Sequence, residues 1–294
     1  IHIEYDDSHY KSGSFNPKDP IVVDMPSGNY NGMEGEVNPK WTNEYRKEIQ
    51  RVNANDMLAD KVKLLLTSMK QSKWEHGKKR GKISGRNLWK ATKHGGYDQE
   101  VFKRKTQKLE INTAVTVLTD FSGSMGGQKY AHASKAGVML NDALVKIGVP
   151  IELLGFSEVI RGPLNVIVSP FHEIMVNNDE IVDRYATAGN WMNQNSDGES
   201  IMWAYNRLIK RPEKRKVLIV LSDGSPAAYN DGDCMGYTQS VVKTIEEQGR
   251  AEIYGVGIMD RNVERIYSDH KVIHHANDLE DLLIGLVKNK VLGI

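Results

Sequence analysis

The chain has 294 residues, 39% of them hydrophobic and 26% charged, with a formal net charge of +1: a soluble globular composition with room for one domain of about 200 residues and an extension. Cys234 is the only cysteine, which excludes an intrachain disulfide and a cysteine-based zinc site. No apolar run approaches the roughly 20 residues of a membrane span and no charged-then-apolar leader opens the sequence, so a reducing, cytoplasmic location and no membrane contact are expected.

Residues 1–40 are dense in Gly, Pro, Ser, Asn and Asp, as in Ser12-Gly13-Ser14-Phe15-Asn16-Pro17 and Pro26-Ser27-Gly28-Asn29-Tyr30. They are expected to form an irregular arm. From Thr42 to Met69, Ile49, Val52, Val62, Leu65 and Met69 fall at helical spacing with charges between them, which predicts one long amphipathic helix, broken near Asn53-Ala54-Asn55. Between Lys70 and Lys93 nine Lys and Arg residues face a single acid, Glu75, with Trp74 and Trp89 interleaved. This segment is either a surface for phosphate, nucleic acid or an acidic partner, or a solvated connector whose tryptophans pack on the core. Residues 41–110 are therefore expected to be a helical, basic extension.

The α/β pattern begins after Lys103-Arg104-Lys105. A Val/Thr-rich strand from Thr113 to Thr119 ends at Asp120, and a helix over 130–147 carries Tyr130, Ala133, Gly137, Leu140, Leu144 and Ile147 on one face. Gly148-Val149-Pro150 stops it. Strands are predicted at 151–156, 164–168, 216–221 and 253–258. Helices are predicted at 179–185, through Trp203, Ala204 and Leu208, at 238–248 and at 278–288. Strands alternating with helices over 111–294 predict a doubly wound, mainly parallel sheet.

Two of those strands end in acids, Asp120 and Asp223, and in an open α/β sheet ligands bind beyond the carboxyl ends of the strands. Asp120, Ser122 and Ser124 would line that crevice, with Asp223 beside them. A third segment, Asn195-Ser196-Asp197-Gly198-Glu199-Ser200, precedes a helix; Asp197 there is either a further carboxylate at the site or the acid that caps the helix. Hard oxygen donors suit Mg²⁺, with Mn²⁺ or Ca²⁺ as alternatives, better than Zn²⁺ or copper. Phosphate-loop spacing fails, because Gln128 stands where the second glycine belongs. No Gly-x-Ser-x-Gly elbow surrounds Ser122 or Ser124, which leaves them as ligands and not nucleophiles. His172, His274 and His275 lack metal-ligand spacing.

Asp-x-Ser-Gly-Ser-Met after a buried strand resembles the metal-ion-dependent adhesion site (MIDAS) of von Willebrand factor A (VWA) domains. In that pattern the middle loop supplies a threonine hydroxyl; here the matching position is Glu199, which would add negative charge at the ion and fill the position adhesive domains leave open. Asp-Gly-Glu before a Trp-Ala helix, then Arg-Pro-Glu-Lys-Arg-Lys and Ser-Asp-Gly-Ser-Pro, is similar to the CobT subunit of aerobic cobaltochelatase, as is Val101-Phe102-Lys103-Arg104-Lys105. The resemblance covers about 81–294. It implies an adaptor, non-catalytic alone, with Asp120, Ser122, Ser124, Glu199, Asp223 and Asp197 around a Mg²⁺ ion. It further implies an AAA+ ATPase partner (CobS- or MoxR-like), ring assembly, and a large chelatase subunit or other target. The alternative function is nucleic-acid association through 70–93.

Overall fold

The computed structural model describes residues 21–28, 37–52, 60–61, 72–87, 89, 100–107, 112–160, 162–173, 176–228, 232–274 and 276–292. The chain divides into a larger unit, 1–62 with 112–294, and a smaller one, 63–111. In order come β1 (Ile21–Asp24), α1 (Pro39–Arg51), β2 (Ser72–Lys78), β3 (Lys82–Ile83), β4 (Phe102–Gln107) and β5 (Thr113–Asp120). Then follow α2 (Gln128–Lys146), β6 (Ile151–Val159), β7 (Gly162–Ser169), α3 (Asn178–Ala188), α4 (Asp197–Leu208) and β8 (Arg215–Ser222). The chain continues through α5 (Cys234–Gln248), β9 (Glu252–Ile258), β10 (His270–Ile273) and α6 (Ala276–Leu286).

The larger unit is built on a seven-stranded sheet of order β1-β7-β6-β5-β8-β9-β10. Every neighbouring pair is parallel except the β6–β7 hairpin. All eight residues of β5 are buried, as expected of a central parallel strand covered on both faces. On one face α4 and α5 pack Ile201, Met202, Tyr205, Val241 and Ile245 against Leu118, Leu218, Val220 and Ile253. On the other, α2 contacts β5 and β6, and α1 and α3 contact α2 and each other. The doubly wound, mainly parallel α/β architecture read from the alternation is the one observed.

Two regions differ from expectation. The arm contains β1, which pairs with β7 in the register Ile21↔Leu164 to Asp24↔Ile167 and buries Val23 completely. Four residues between Pro20 and Pro26 carry too little periodicity to be read as a strand. The extension is not simply helical. Helix α1 stops at Arg51, beside the break expected at Asn53, and only Val52 and Asp60-Lys61 of the remainder up to Met69 lie within the described residues. The smaller unit instead holds an antiparallel sheet of order β2-β4-β3. Its strands, SKWEHGK and FKRKTQ, are too polar to show an apolar period of either kind. Trp89 is exposed, contrary to the expectation that the tryptophans pack on a core. Lys70, Lys90 and Lys93 lie outside the described residues.

Candidate metal centre

The chain runs from β5 outward to β6 and β7, then returns to place β8 on the other side of β5. The strand order reverses between β5 and β8, the point at which an open sheet leaves a crevice at its carboxyl edge. Asp120, the last residue of β5, and Asp223, directly after β8, flank that point. Asp120 is fully buried. Its Oδ1 accepts from the Ser122 amide at 2.8 Å and its Oδ2 from the Ser222 hydroxyl at 2.7 Å. The Ser122 and Ser124 hydroxyls lie 3.0 Å apart, at the mouth of a cavity of about 420 Å³ lined also by Asn193, Asn195, Ser225 and Ala227. Asp223 Oδ2 accepts from Lys129 Nζ at 3.0 Å, and its Oδ1 from the Ser225 amide at 3.2 Å.

The middle loop brings in Asp197. It is the first residue of α4, after the N-cap Ser196, whose side chain makes no capping bond. Asp197 Oδ2 accepts from Asn195 Nδ2 at 2.7 Å, while Asp197 Oδ1 is buried without a hydrogen-bond partner. Burial first, then the charges of Asp120 and Asp223, raise the Asp197 carboxyl well above the usual carboxylate range. Burial, reinforced by Asp223, likewise pushes Asp120 up to about 7 against hydrogen bonds from Ser222 and Ser122. These shifts record negative charge held away from water without enough compensation.

Glu199 differs in its electrostatic partners. With Asp197 it lines a small cavity that also includes Cys234, Tyr237 and Thr238, and burial alone, opposed by its own backbone amide, raises its pKa to about 7. Its charge, and after it those of Glu158 and Asp197, are felt at Cys234. The carboxylate that the middle loop couples to Asp120 and Asp223 is therefore Asp197, two residues earlier. Gly198 between them admits no side chain, because a Cβ there would lie 2.6 Å from the Tyr237 ring. Gly224 after Asp223 has φ +70°, and a Cβ there would approach the Val263 amide to 2.5 Å, so the turn that aims Asp223 requires glycine. Asn195 and Ser222, which hold two of the carboxylates, went unread in the sequence. The Ser-Asp-Gly run at the end of β8 was the available signal for Ser222. His172 and His274 are exposed on the surface; His275 lies outside the described residues.

The model of the cobalamin biosynthesis protein CobT VWA domain matches residues 101–166 and 185–290, more than half of the chain. The chain belongs to the CobT VWA-domain family. The match spans β5, β8 and all three loops of the candidate centre. Among curated proteins, the chain is 24% identical over 210 residues to the uncharacterized protein YojO of Bacillus subtilis (strain 168), covering 64% of this chain and 31% of that one; it thus spans about a third of that relative's length. Similar solved structures include the pilus adhesin SpaC of Lactobacillus rhamnosus GG, with a TM-score of 0.49, 15% identity, and 64% of this chain and 31% of that chain covered. Another is the vWF domain of the type V pili tip protein Mfa5 of Porphyromonas gingivalis, with a TM-score of 0.47, 12% identity, and 63% and 97% covered.

The CobT-family centre fits a hard divalent ion on three grounds. Its donors are all oxygens. The buried Asp197 Oδ1 has no partner. The two serine hydroxyls are hydrogen-bonded at 3.0 Å, close enough for one ion to be reached by both. Among the described residues no group of three or more His, Cys, Asp or Glu side chains forms a metal cage. An ion here would rest on hydroxyls and a minority of carboxylates, the others supplying charge from further out.

Proposed function

We propose that this CobT-family chain is a metal-ion-dependent protein-interaction subunit that works with an AAA+ ATPase, in a metal chelatase or another protein-remodelling assembly. The observation that carries the reading is the meeting of Asp120, Ser122 and Ser124 with Asp223 and Asp197 at the β5/β8 reversal, beside an open cavity. Ser122 and Ser124 would hold a Mg²⁺ ion with Asp120, while Asp223 and Asp197 supply charge. A bound ion supplies a Lewis-acidic point to which a partner's carboxylate can attach. The chain's own residues orient it: Ser222 fixes the Asp120 carboxylate, Asn195 fixes Asp197, and the cavity beside Ser124 leaves space for a partner side chain. The same reading includes ring assembly with the ATPase and delivery of its action to a large chelatase subunit or other target. Calorimetric titration tests it: Mg²⁺ binds the wild type and fails to bind Asp120→Ala. Capture of an AAA+ partner is lost in EDTA. Equal Mg²⁺ binding by both proteins would refute the reading.

A second reading, association with nucleic acid, draws on the exposed Lys79, Arg80, Lys82, Arg86 and Arg104 of the small sheet, with Ile83 and Trp89 also exposed. Its mark is steeply salt-dependent DNA or RNA binding that weakens on neutralising Lys79 and Arg80. An absence of binding at low salt would end it.

A further inference from the structure

Lys129 stands in the first turn of α2, a helix whose N-cap Gly127 makes no side-chain cap. A cation there faces the positive end of the helix dipole, so the helix does not favour it. What holds it is a pair of acids from two other segments. Its Nζ is 3.0 Å from Asp223 Oδ2, in a side chain only 2% exposed, and 3.9 Å from Asp260 Oδ2, in a side chain 34% exposed. Asp260 follows β9 and is anchored through its other oxygen, which accepts from the Asn262 amide at 3.1 Å. The outer oxygen of Asp260 is thus a second seat for the same ammonium, nearer to solvent and a short side-chain movement away.

We propose that Lys129 is a tethered competitor of the divalent ion: it occupies Asp223 when the ion is absent and shifts to Asp260 when the ion binds. The inference rests on the metal-dependent reading above. The arrangement of charge supports it. Four acids, Asp120, Asp197, Asp223 and Asp260, share one ammonium, and a divalent ion held by the inner three leaves the outer one, Asp260, to pair with Lys129. An ammonium that stayed on Asp223 would repel the incoming ion at close range in a site with little water, where such repulsion is strong. Moving to Asp260 relieves the repulsion, retains an ion pair and frees the Asp223 oxygen. Lys129 therefore sets the ion concentration at which the interaction surface switches on, and guards the buried acids against self-repulsion below it.

The test is titration of the full chain with MgCl₂ and MnCl₂, read by calorimetry, with folding checked by circular dichroism. Lys129→Met is expected to bind the ion at least about tenfold more tightly than the wild type, the scale of one close Coulombic contact. In EDTA it is expected to melt at a lower temperature, because Asp223 has lost its partner. Lys129→Arg, which keeps the charge, is expected to bind as the wild type does. Asp260→Asn removes the second seat and is expected to weaken binding severalfold, an effect that disappears in the Lys129→Met background. A folded Lys129→Met that binds no more tightly than a wild type that does bind overturns the competitor role and leaves the metal reading standing. If neither protein binds, both fall. If Lys129→Met does not fold, an Asp260→Asn protein with wild-type affinity overturns the proposal by itself.

Discussion

The Ser222 hydroxyl, at the end of one central strand, donates to Asp120 Oδ2, at the end of the neighbouring strand, at 2.7 Å in a fully buried position. Ser222 Oγ itself accepts from the Gly224 amide at 3.0 Å. One hydroxyl thus locks the Asp120 carboxylate and the turn that carries Asp223. Ser222→Ala leaves a buried acceptor and a buried amide unsatisfied and is expected to destabilise the protein by about 1–3 kcal/mol. Chemical denaturation in EDTA measures this. Mg²⁺ affinity should fall as well, since Asp120 loses its orientation.

Asp197 and Glu199 give opposite expectations for the ion. Both line the Cys234 cavity, but only Asp197 feels the charges of Asp120 and Asp223, whereas burial alone raises Glu199. Asp197→Asn is expected to weaken Mg²⁺ binding by about tenfold or more, and Glu199→Gln to change it by less than about threefold. Titration of the two variants side by side separates them; the reverse order would assign the middle-loop role to Glu199.

Glu199 also makes stability depend on pH. Its pKa in the fold is raised from 4.5 to about 7, so between those values the unfolded chain gives up the proton while the folded one keeps it. The contribution is full below about 4.5, declines as pH rises, and is gone above about 7. Its size is about 3 kcal/mol, from some 1.4 kcal/mol for each unit of the shift. Denaturant midpoints measured in EDTA from pH 4.5 to 8 should decline less steeply for Glu199→Gln than for the wild type by about that amount. Parallel curves would show that Glu199 is not buried as described.

Gly198→Ala sets a methyl group against the Tyr237 ring, 2.6 Å from the nearest ring carbon. Because α4 and α5 are closely packed at this point, the overlap is expected to cost about 1–3 kcal/mol. Thermal melts compare it with Gly198→Ala combined with Tyr237→Leu, in which the loss should be partly recovered.

The sheet was legible because its strands are short Val-, Ile- and Leu-rich runs and its helices carry continuous apolar faces such as Tyr130, Ala133, Leu140 and Leu144. The approach of Asp120 and Asp223 was legible for a related reason: both stand at the carboxyl ends of strands that the alternation places in one sheet. Harder to see was that Asp197 is the middle-loop acid whose carboxyl feels Asp120 and Asp223. That depends on how the start of α4 meets the ends of β5 and β8, which the sequence does not display. Lys129 and Asp260 were invisible as a pair, since 131 positions separate them in the chain and only the winding of the sheet unites them. The edge strand β1 and the small polar sheet lacked the apolar contrast on which periodicity depends.

Strand β1 and helix α1 precede residue 101, where the family match begins, yet both belong to the larger unit. A recombinant fragment cut at that boundary would strip β7 of its outer partner and uncover the flank of α2 and α3 that α1 shields. The backbone of β7 would then offer an open ladder to any other chain, and such a fragment would precipitate or pair with itself instead of reporting on the ion. Expression work on this protein should begin upstream of Ile21.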